Sequence, residues 1–347
     1  MSNTSTNTIV ITDRRFLDHD PGLGHPESPA RLDAVQTDLS RAPVAGVSIE
    51  TPRFATDAEI EAVHPAAYRE ALAALAGRNA RLDEDTSTSP GSWEAARLAA
   101  GAAVEAALAT MSGRARNAFA LVRPPGHHAV PDRAMGFCLL NNAAIAAEAA
   151  RRAGAARVLI VDWDVHHGNG TQDIFEARSD VMYMSVHQYP FYPGTGAADE
   201  VGTGAGRGAT VNAPLPGRQG DADYGVVFHD LFLPAARAFK PELVIVSAGF
   251  DAHARDPLAG MSVTERGFAA MASALAQLAD ETCGGKLALM LEGGYDLRAL
   301  TASVRATLEV LTGRREDFPK GPDAATLHAI EETRAALRAA GRVVPKT

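Results

Sequence analysis

Five apolar runs of the chain each end in a cluster of polar side chains, and this repeat constrains the fold more than any other feature. The runs are AFALV, RVLIV, VMYMSV, ELVIVSA and KLALML, and the clusters that follow them are RPPGHHA, DWDVHHGNG, HQ, GFDAH and EGGYD. Near-continuous apolar strands are typical of a parallel sheet that is covered on both faces. Ligands of such sheets bind beyond the carboxyl ends of the strands. The sequence therefore predicts an α/β fold with one functional site along that edge.

The stretches between these runs carry helix boundaries. Residues 92–113 are predicted to form a helix with Ser92 as its N-cap and Gly113 as its stop, and residues 141–154 a second helix. Residues 320–341 are predicted to form an amphipathic helix that packs on the domain or on a partner. Strands that alternate with helices indicate a layered domain. We expect one domain over residues 9–347, with a central, mostly parallel sheet flanked by helices on both faces, and a disordered tail over residues 1–8.

Composition excludes several classes of partner. The net charge of −9 argues against a sequence-independent nucleic-acid surface, which needs a basic face. No apolar run approaches the roughly 18 residues of a membrane-spanning helix, and the N-terminus has no apolar signal-peptide region, so no membrane association is expected. Two cysteines give no disulfide framework. We therefore predict a reducing compartment, the cytoplasm.

The segment DWDVHHG is a candidate metal site. Asp162, Asp164 and His166 are spaced by two residues, so they share a face if the segment is extended. Asp164 and His166 suit a borderline divalent cation; the alternative is a capped turn with a surface histidine. Asp251 is the best third ligand, although an aspartate there is equally expected as a helix N-cap. His253 is a rival that would replace or supplement it.

Two further motifs suggest acid–base and oxyanion chemistry. RPPGHHA contains the adjacent His127 and His128, which are metal ligands, a proton-transfer pair or neighbours by chance. Because other residues can bind the metal, we favour a role in acid–base catalysis. Asp162 is then available as the carboxylate behind them. In LEGGYDL, Tyr295 is either an oxyanion donor or a buried loop tyrosine. Together these groups predict metal-assisted hydrolysis of a carbonyl compound.

The ordered motifs resemble a known family. RPPGHHA, GFCLLNNAA, VDWDVHHGNGTQDIF, FYPGTG, SAGFDAHARDPLAGM and LEGGYDL are similar to motifs of zinc-dependent histone deacetylases, and GHPESPARL resembles their N-terminal loop. The resemblance covers about residues 18–313 and is strongest to class II enzymes, bacterial histone-deacetylase-like amidohydrolases and acetylpolyamine amidohydrolases. It implies an arginase-like fold, one catalytic zinc (or iron(II), which the same ligands accept) and a potassium ion.

The resemblance also assigns residues to roles. Zinc is assigned to Asp164, His166 and Asp251, proton transfer to His127 and His128, with Asp162 in support, and polarisation of the acyl carbonyl to Tyr295. The acyl-lysine tunnel is assigned to Gly136, Phe137, Tyr192, Leu258 and Gly294, with Asp85 at the rim to grip the substrate backbone. Potassium is assigned to Asp162, Asp164, His166, Ser185 and Val186, the last partly through backbone carbonyls.

Two positions depart from patterns within the family. Asn169 stands where many class I enzymes have an aspartate behind the second histidine, a class II trait. A neutral amide stabilises an imidazolium less than a carboxylate does, so we predict that His128 is less basic than His127. Leu258 stands where polyamine-selective animal relatives carry an acidic residue. It offers no partner to a distant ammonium and favours acyl-lysine as the substrate.

The expected function is therefore removal of an acetyl or other acyl group from N-ε-acyl-lysine of proteins or peptides. An acetylpolyamine amidohydrolase and a hydrolase of another small amide remain alternatives, as does a non-catalytic acyl-lysine binder. An arginase-like ureohydrolase with two manganese ions needs more carboxylate ligands than the motifs contain, so this alternative is not favoured. The sequence leaves open whether the chain forms a homo-oligomer, a dimer or a tetramer.

Overall fold

The computed structural model describes residues 7–342 and 344. Its centre is an eight-stranded sheet in the order β2-β1-β5-β10-β9-β6-β7-β8, with every neighbouring pair parallel. The strands are β1 (Thr8–Ile11), β2 (Val47–Glu50), β5 (Asn117–Ala120), β6 (Val158–Asp162), β7 (Val181–Gln188), β8 (Thr210–Leu215), β9 (Leu243–Ala248) and β10 (Leu287–Leu291). A separate antiparallel pair consists of β3 (Ala80–Arg81) and β4 (Ser87–Thr88).

Helices flank this sheet. They are α1 (Pro29–Arg41), α2 (Asp57–Ile60), α3 (Ala66–Ala73), α4 (Ser92–Met111), α5 (Asn142–Arg152), α6 (Asn169–Phe175), α7 (Asp221–Val227), α8 (Leu233–Phe239), α9 (Glu265–Cys283), α10 (Leu297–Leu311) and α11 (Ala324–Ala339). Every residue of β1, β5, β6, β9 and β10 is buried. A strand is buried at consecutive positions only when both faces of its sheet are covered. The predicted α/β architecture is confirmed, with a central sheet that is parallel throughout.

The helix boundaries show one error in the sequence prediction. Helix α4 begins at Ser92, and its N-cap is Gly91. The Ser92 hydroxyl lies 2.7 Å from Nδ1 of His19 and accepts the Ser89 N–H, so its oxygen is engaged outside the helix that it was expected to cap. By contrast, Asn141 caps α5 by accepting the Ala144 N–H, as N-cap residues do.

The chain ends differ from expectation at one residue. Thr8, placed by the sequence prediction in a tail over residues 1–8, is fully buried in β1; residues 1–6 lie outside the described part of the chain. Helix α11 packs on this domain, since Thr333 donates to the Asn212 carbonyl of edge strand β8 at 2.7 Å. No helix within residues 7–342 is both long and apolar enough to cross a membrane.

The strand order explains where the site forms. β10 lies between β5 and β9, and β6 lies between β9 and β7. All of these strands are parallel, so their carboxyl ends meet at one edge. The loops that follow β5, β10, β9 and β6 are therefore neighbours, and these loops carry the predicted histidines, tyrosine and aspartates.

Candidate active site

Three side chains from two of these loops form a group that fits a metal ion. Donor atoms of Asp164, His166 and Asp251 all lie within 4.8 Å of one another. Nδ1 of His166 is 3.1 Å from Oδ1 of Asp164 and 3.1 Å from Oδ2 of Asp251. Ligands at about 2.0–2.2 Å in a tetrahedral zinc site are roughly 3.3 Å apart. Both the donor types and their spacing therefore suit a zinc-like divalent cation.

Backbone groups orient the two carboxylates. The Gly293 N–H donates to Oδ2 of Asp164 at 2.8 Å, and the Val165 N–H donates to Oδ1 of Asp251 at 2.8 Å. The other oxygen of each aspartate faces His166. A Cβ atom at Gly293, or at Gly249, would collide with these carboxylates. The two carboxylates are thus held in place by neighbours that have no room for a side chain.

The electrostatics of this group also favour a cation. Burial, and then the adjacent Asp164 carboxylate, raise the pKa of Asp251 to about 7. Burial opposes the charge of His166, but its bonds to Asp164 and Asp251 raise its pKa to about 10. Two buried carboxylates close together repel each other, and a bound dication relieves that repulsion.

The other polar residues of these loops lie outside the metal group. β6 ends at Asp162 and the chain then bends, so the alternation expected of an extended segment stops there. Oδ2 of Asp162 lies 3.0 Å from Nδ1 of His127 and accepts the Tyr183 hydroxyl. The rival ligand His253 faces Glu265 at 3.3 Å. His167 contacts Thr195 and Gln172 through its two ring nitrogens.

The tandem histidines have unlike partners. Nδ1 of His127 lies against the Asp162 carboxylate, whereas Nδ1 of His128 lies 2.8 Å from the Asn169 amide oxygen. Burial opposes the charge of His127, but Asp162 and Asp164 raise its pKa well above the ordinary range. Burial, and then the neighbouring His127, lower the pKa of His128. The order of basicity is the one that the sequence predicts.

Tyr295 faces the same space from the loop after β10. Its N–H donates to Oδ2 of Asp256 at 2.6 Å, and the Arg31 guanidinium lies 4.8 Å from the centre of its ring. Arg31 also donates to the carbonyls of Gly294 and Glu292, both at 2.6 Å. Burial raises the pKa of the Tyr295 hydroxyl, with Arg31 opposing, so it is a hydrogen-bond donor at neutral pH.

A narrow cavity of about 80 Å³ joins these groups. The rings of Phe137 and Tyr295 meet edge to face at 6.0 Å, and that of Tyr192 stands at 89° to His128 at 5.1 Å. The cavity is lined by Asp85, Pro125, His127, His128, Gly136, Phe137, His166, Tyr192, Leu258, Gly293 and Tyr295. Gly136 brings the backbone against the His128 ring, where a Cβ would collide.

The two glycines before Tyr295 differ in their surroundings. Gly293 is among the residues that line the cavity. Gly294 adopts a positive φ of 117°, and its carbonyl accepts a hydrogen bond from Arg31. The assignment of Gly294 to the tunnel stays a prediction.

Comparison with known proteins agrees with this geometry. A family model described as "Histone deacetylase domain" matches residues 25–311. The chain belongs to the histone deacetylase family. It is 46% identical to Histone deacetylase 15 of Arabidopsis thaliana over 327 residues, which cover 91% of this chain but only 58% of that protein. It is 42% identical to the histone deacetylase-like amidohydrolase of Pseudomonas aeruginosa, covering 84% of this chain and 78% of that protein.

A solved structure in the family extends the likeness to the fold. The crystal structure of the HDA15 HD domain superposes with a TM-score of 0.91 at 44% identity, covering 96% of this chain and 95% of that one. The structural neighbour confirms the single-domain arginase/deacetylase-like fold that the motifs imply.

Three of the predicted potassium residues lie on the neighbouring strands β6 and β7. Asp162 and Ser185 are register partners on β6 and β7, and Val186 is the next residue on β7. The Ser185 hydroxyl lies 2.8 Å from Nδ1 of His187. The assignment of potassium to this place stays a prediction.

Sequence reasoning missed several groups that support the site. Oε2 of Glu292 accepts the N–H groups of Gly126 and His127 at 2.6 and 3.2 Å, and its Oε1 accepts the Ser247 hydroxyl at 3.0 Å. Asp256 and Arg31 hold the Tyr295 loop as described above. All three lie in motifs quoted from the sequence. No pattern in the sequence reveals partners that are 39 to 263 residues away.

Proposed function

We propose that this chain is a hydrolytic deacylase that cleaves the amide of N-ε-acyl-lysine in peptides or proteins. One observation carries the proposal: His166 of the candidate metal-ligand group, a histidine pair of unequal basicity and Tyr295 all border one narrow cavity. Membership of the histone deacetylase family supports the same chemistry. We assign the metal as zinc, held by Asp164, His166 and Asp251.

The protonation states of the side chains determine their roles in the proposed reaction. Bound zinc would supply Lewis-acid activation of water and of the acyl carbonyl. His128 is kept neutral by burial and by its neighbour, so it accepts the proton of the attacking water. His127, paired with Asp162, keeps a positive charge beside the oxyanion. The Tyr295 hydroxyl donates a hydrogen bond to that oxyanion, and the tandem pair returns a proton to the leaving amine.

The shape of the cavity supports lysine as the amine. Phe137 and Tyr192 form two aromatic walls that suit a chain of methylene groups. Leu258 offers no charge to a distant ammonium. Asp85 faces the cavity, and burial, with the nearby Asp83, raises its pKa; its carboxyl group is the one we propose to accept a substrate backbone N–H.

A second candidate is an acetylpolyamine amidohydrolase, which Asp85 favours because it is an acidic group at the cavity. A panel of acetyl-lysine peptides, acetylputrescine and acetylspermidine on metal-defined protein separates the two. Higher kcat/KM for the peptides supports the lysine assignment, and higher kcat/KM for the polyamines overturns it. Tight acyl-lysine binding without turnover would instead indicate a binding protein.

Two variants test the assignment of roles. Tyr295→Phe should retain zinc and lose about 10²–10³-fold in kcat, as removal of an oxyanion donor does. Asp251→Ala should lose zinc, measured by elemental analysis. Unchanged turnover in the first variant, or stoichiometric zinc in the second, contradicts the role concerned. Elemental analysis of protein from cells also decides between zinc and iron(II), and two manganese ions would point to a ureohydrolase.

Potassium at Asp162, Asp164, His166, Ser185 and Val186 and a cytoplasmic location complete the proposal. The buried Asp162–Ser185 register pair supports the former. Exchange of potassium for sodium should change activity or thermal stability if the ion is bound there. Fractionation of the source cells tests the location.

A further inference from the structure

Asp256 links two loops that reach the candidate active site from different strands. Its Oδ1 accepts the Leu258 N–H at 3.0 Å, and its Oδ2 accepts the Tyr295 N–H at 2.6 Å. Leu258 and Tyr295 both line the cavity, whereas Asp256 does not. One carboxylate thus holds the backbone of Leu258 and the backbone of Tyr295, which are both cavity-lining residues.

The two loops that the Asp256 carboxylate joins both carry residues of the candidate active site. The loop that bears Asp256 also contains the metal-ligand candidate Asp251. The loop that bears Tyr295 contains two glycines, one with a φ of 117°. A glycine-rich segment has little conformational preference of its own, so its position depends on external bonds. Asp256 is only 8% exposed, and hydrogen bonds to a charged, buried acceptor are among the stronger ones in proteins.

We infer that Asp256 is a positioning residue, which sets the place of the Tyr295 hydroxyl and couples it to the loop that carries Leu258. The inference rests on the proposed function, because it gives Tyr295 the oxyanion role. A displacement of about 1 Å at a reacting group lowers rates by about 10²-fold. A substrate that moves Leu258 would also move the tyrosine, so recognition of the substrate by Leu258 and catalysis by Tyr295 would not be independent.

Asp256→Asn is the sharpest perturbation. An amide has one acceptor oxygen and one NH₂ group in place of two acceptor oxygens, so either the Leu258 or the Tyr295 N–H loses its partner while volume is retained. We expect kcat on an acetyl-lysine peptide to fall about 10- to 100-fold, with KM changed less than kcat and zinc content unchanged. Asp256→Glu, which keeps both oxygens, is the second variant if Asp256→Asn does not fold.

The same substitution in a Tyr295→Phe background shows whether Asp256 acts through the hydroxyl. Groups that act as one unit are not additive. Asp256→Asn should therefore have little further effect on the residual activity of Tyr295→Phe. An equal fold loss in both backgrounds, or an unchanged kcat in the single variant, overturns the inference. If Tyr295→Phe itself keeps full activity, the proposed function fails instead, and the two failures are told apart.

A readout that needs no activity completes the test. Amide hydrogen exchange should accelerate in the segments that contain Leu258 and Tyr295 in Asp256→Asn, with the strands of the sheet unchanged. Asp223→Asn is the matched control, because Asp223 is also 8% exposed and accepts two backbone N–H groups, from Gly220 and Asp323, far from the cavity. The control should leave kcat and exchange at Tyr295 unchanged. Unaltered exchange at both segments in Asp256→Asn contradicts the positioning role.

Discussion

Replacement of Glu27 by glutamine should destabilise the protein strongly, although Glu27 lies outside the candidate site. Glu27 is fully buried and bonds two buried arginines: Arg123 at 2.5 and 2.6 Å, and Arg31 at 2.8 Å. His19 lies 3.4 Å away. Burial by itself would raise the pKa of Glu27. The neighbouring Arg123, His19 and Arg31 outweigh that effect and keep the pKa well below its ordinary value. The substitution removes the negative charge that balances two guanidinium groups.

The size of the effect follows from this geometry. Removal of one partner from a buried ion pair destabilises proteins by about 3–5 kcal/mol, because the remaining charge is left uncompensated. We expect Glu27→Gln to lower the free energy of unfolding by that amount in guanidinium titrations at pH 7. Asp33→Asn is the control, since Asp33 pairs with Arg14 at 2.8 Å on the surface. An exposed pair contributes about 0–1 kcal/mol. Equal losses in the two variants would refute the reasoning.

Three further predictions concern the loops and the metal. Burial lowers the pKa of His64 to about 4. Between about pH 6.5 and pH 4, His64 is therefore protonated in the unfolded chain but not in the folded one. The free energy of unfolding should fall by about 3 kcal/mol as the pH drops through this window. His64→Gln should flatten that slope in unfolding titrations. Gly293→Ala should lose zinc by elemental analysis, because its Cβ would collide with Asp251; full zinc content contradicts this. Glu292→Ala should lower kcat more than Glu292→Gln, whose amide oxygen still accepts the Gly126 N–H, and equal rates would show that Glu292 does not hold that loop.

Local features of the fold could be read from the sequence. Each apolar run matched a strand within about two residues, because burial on both faces leaves an uninterrupted apolar signature. The candidate ligands and the tandem histidines could be found because each lies in the segment between a strand and the next helix. Ser92 was placed wrongly because a hydroxyl has alternative partners, and His19, which engages the Ser92 oxygen, lies 73 residues away.

Supporting contacts could not be read in the same way. The bond from Arg31 to Gly294 joins residues 263 positions apart, and a pattern within one segment carries no information about such a partner. The place of Gly293 in the cavity wall could not be read from the sequence for a similar reason. Which of two adjacent glycines faces the cavity depends on a φ angle that the sequence leaves free.

The order β10-β9-β6 at the centre of the sheet has a consequence for how the metal centre is made. Asp164, His166 and Asp251 have all been synthesised by residue 251, but the Gly293 N–H that orients Asp164 arrives only with the segment after β10. A nascent chain that ends before β10 contains all three candidate ligands but lacks the Gly293 N–H that orients the Asp164 carboxylate. A metal site of the proposed kind would therefore be complete only once β10 is in place, and we expect a chelator to lower the stability of the whole domain rather than to disorder one loop.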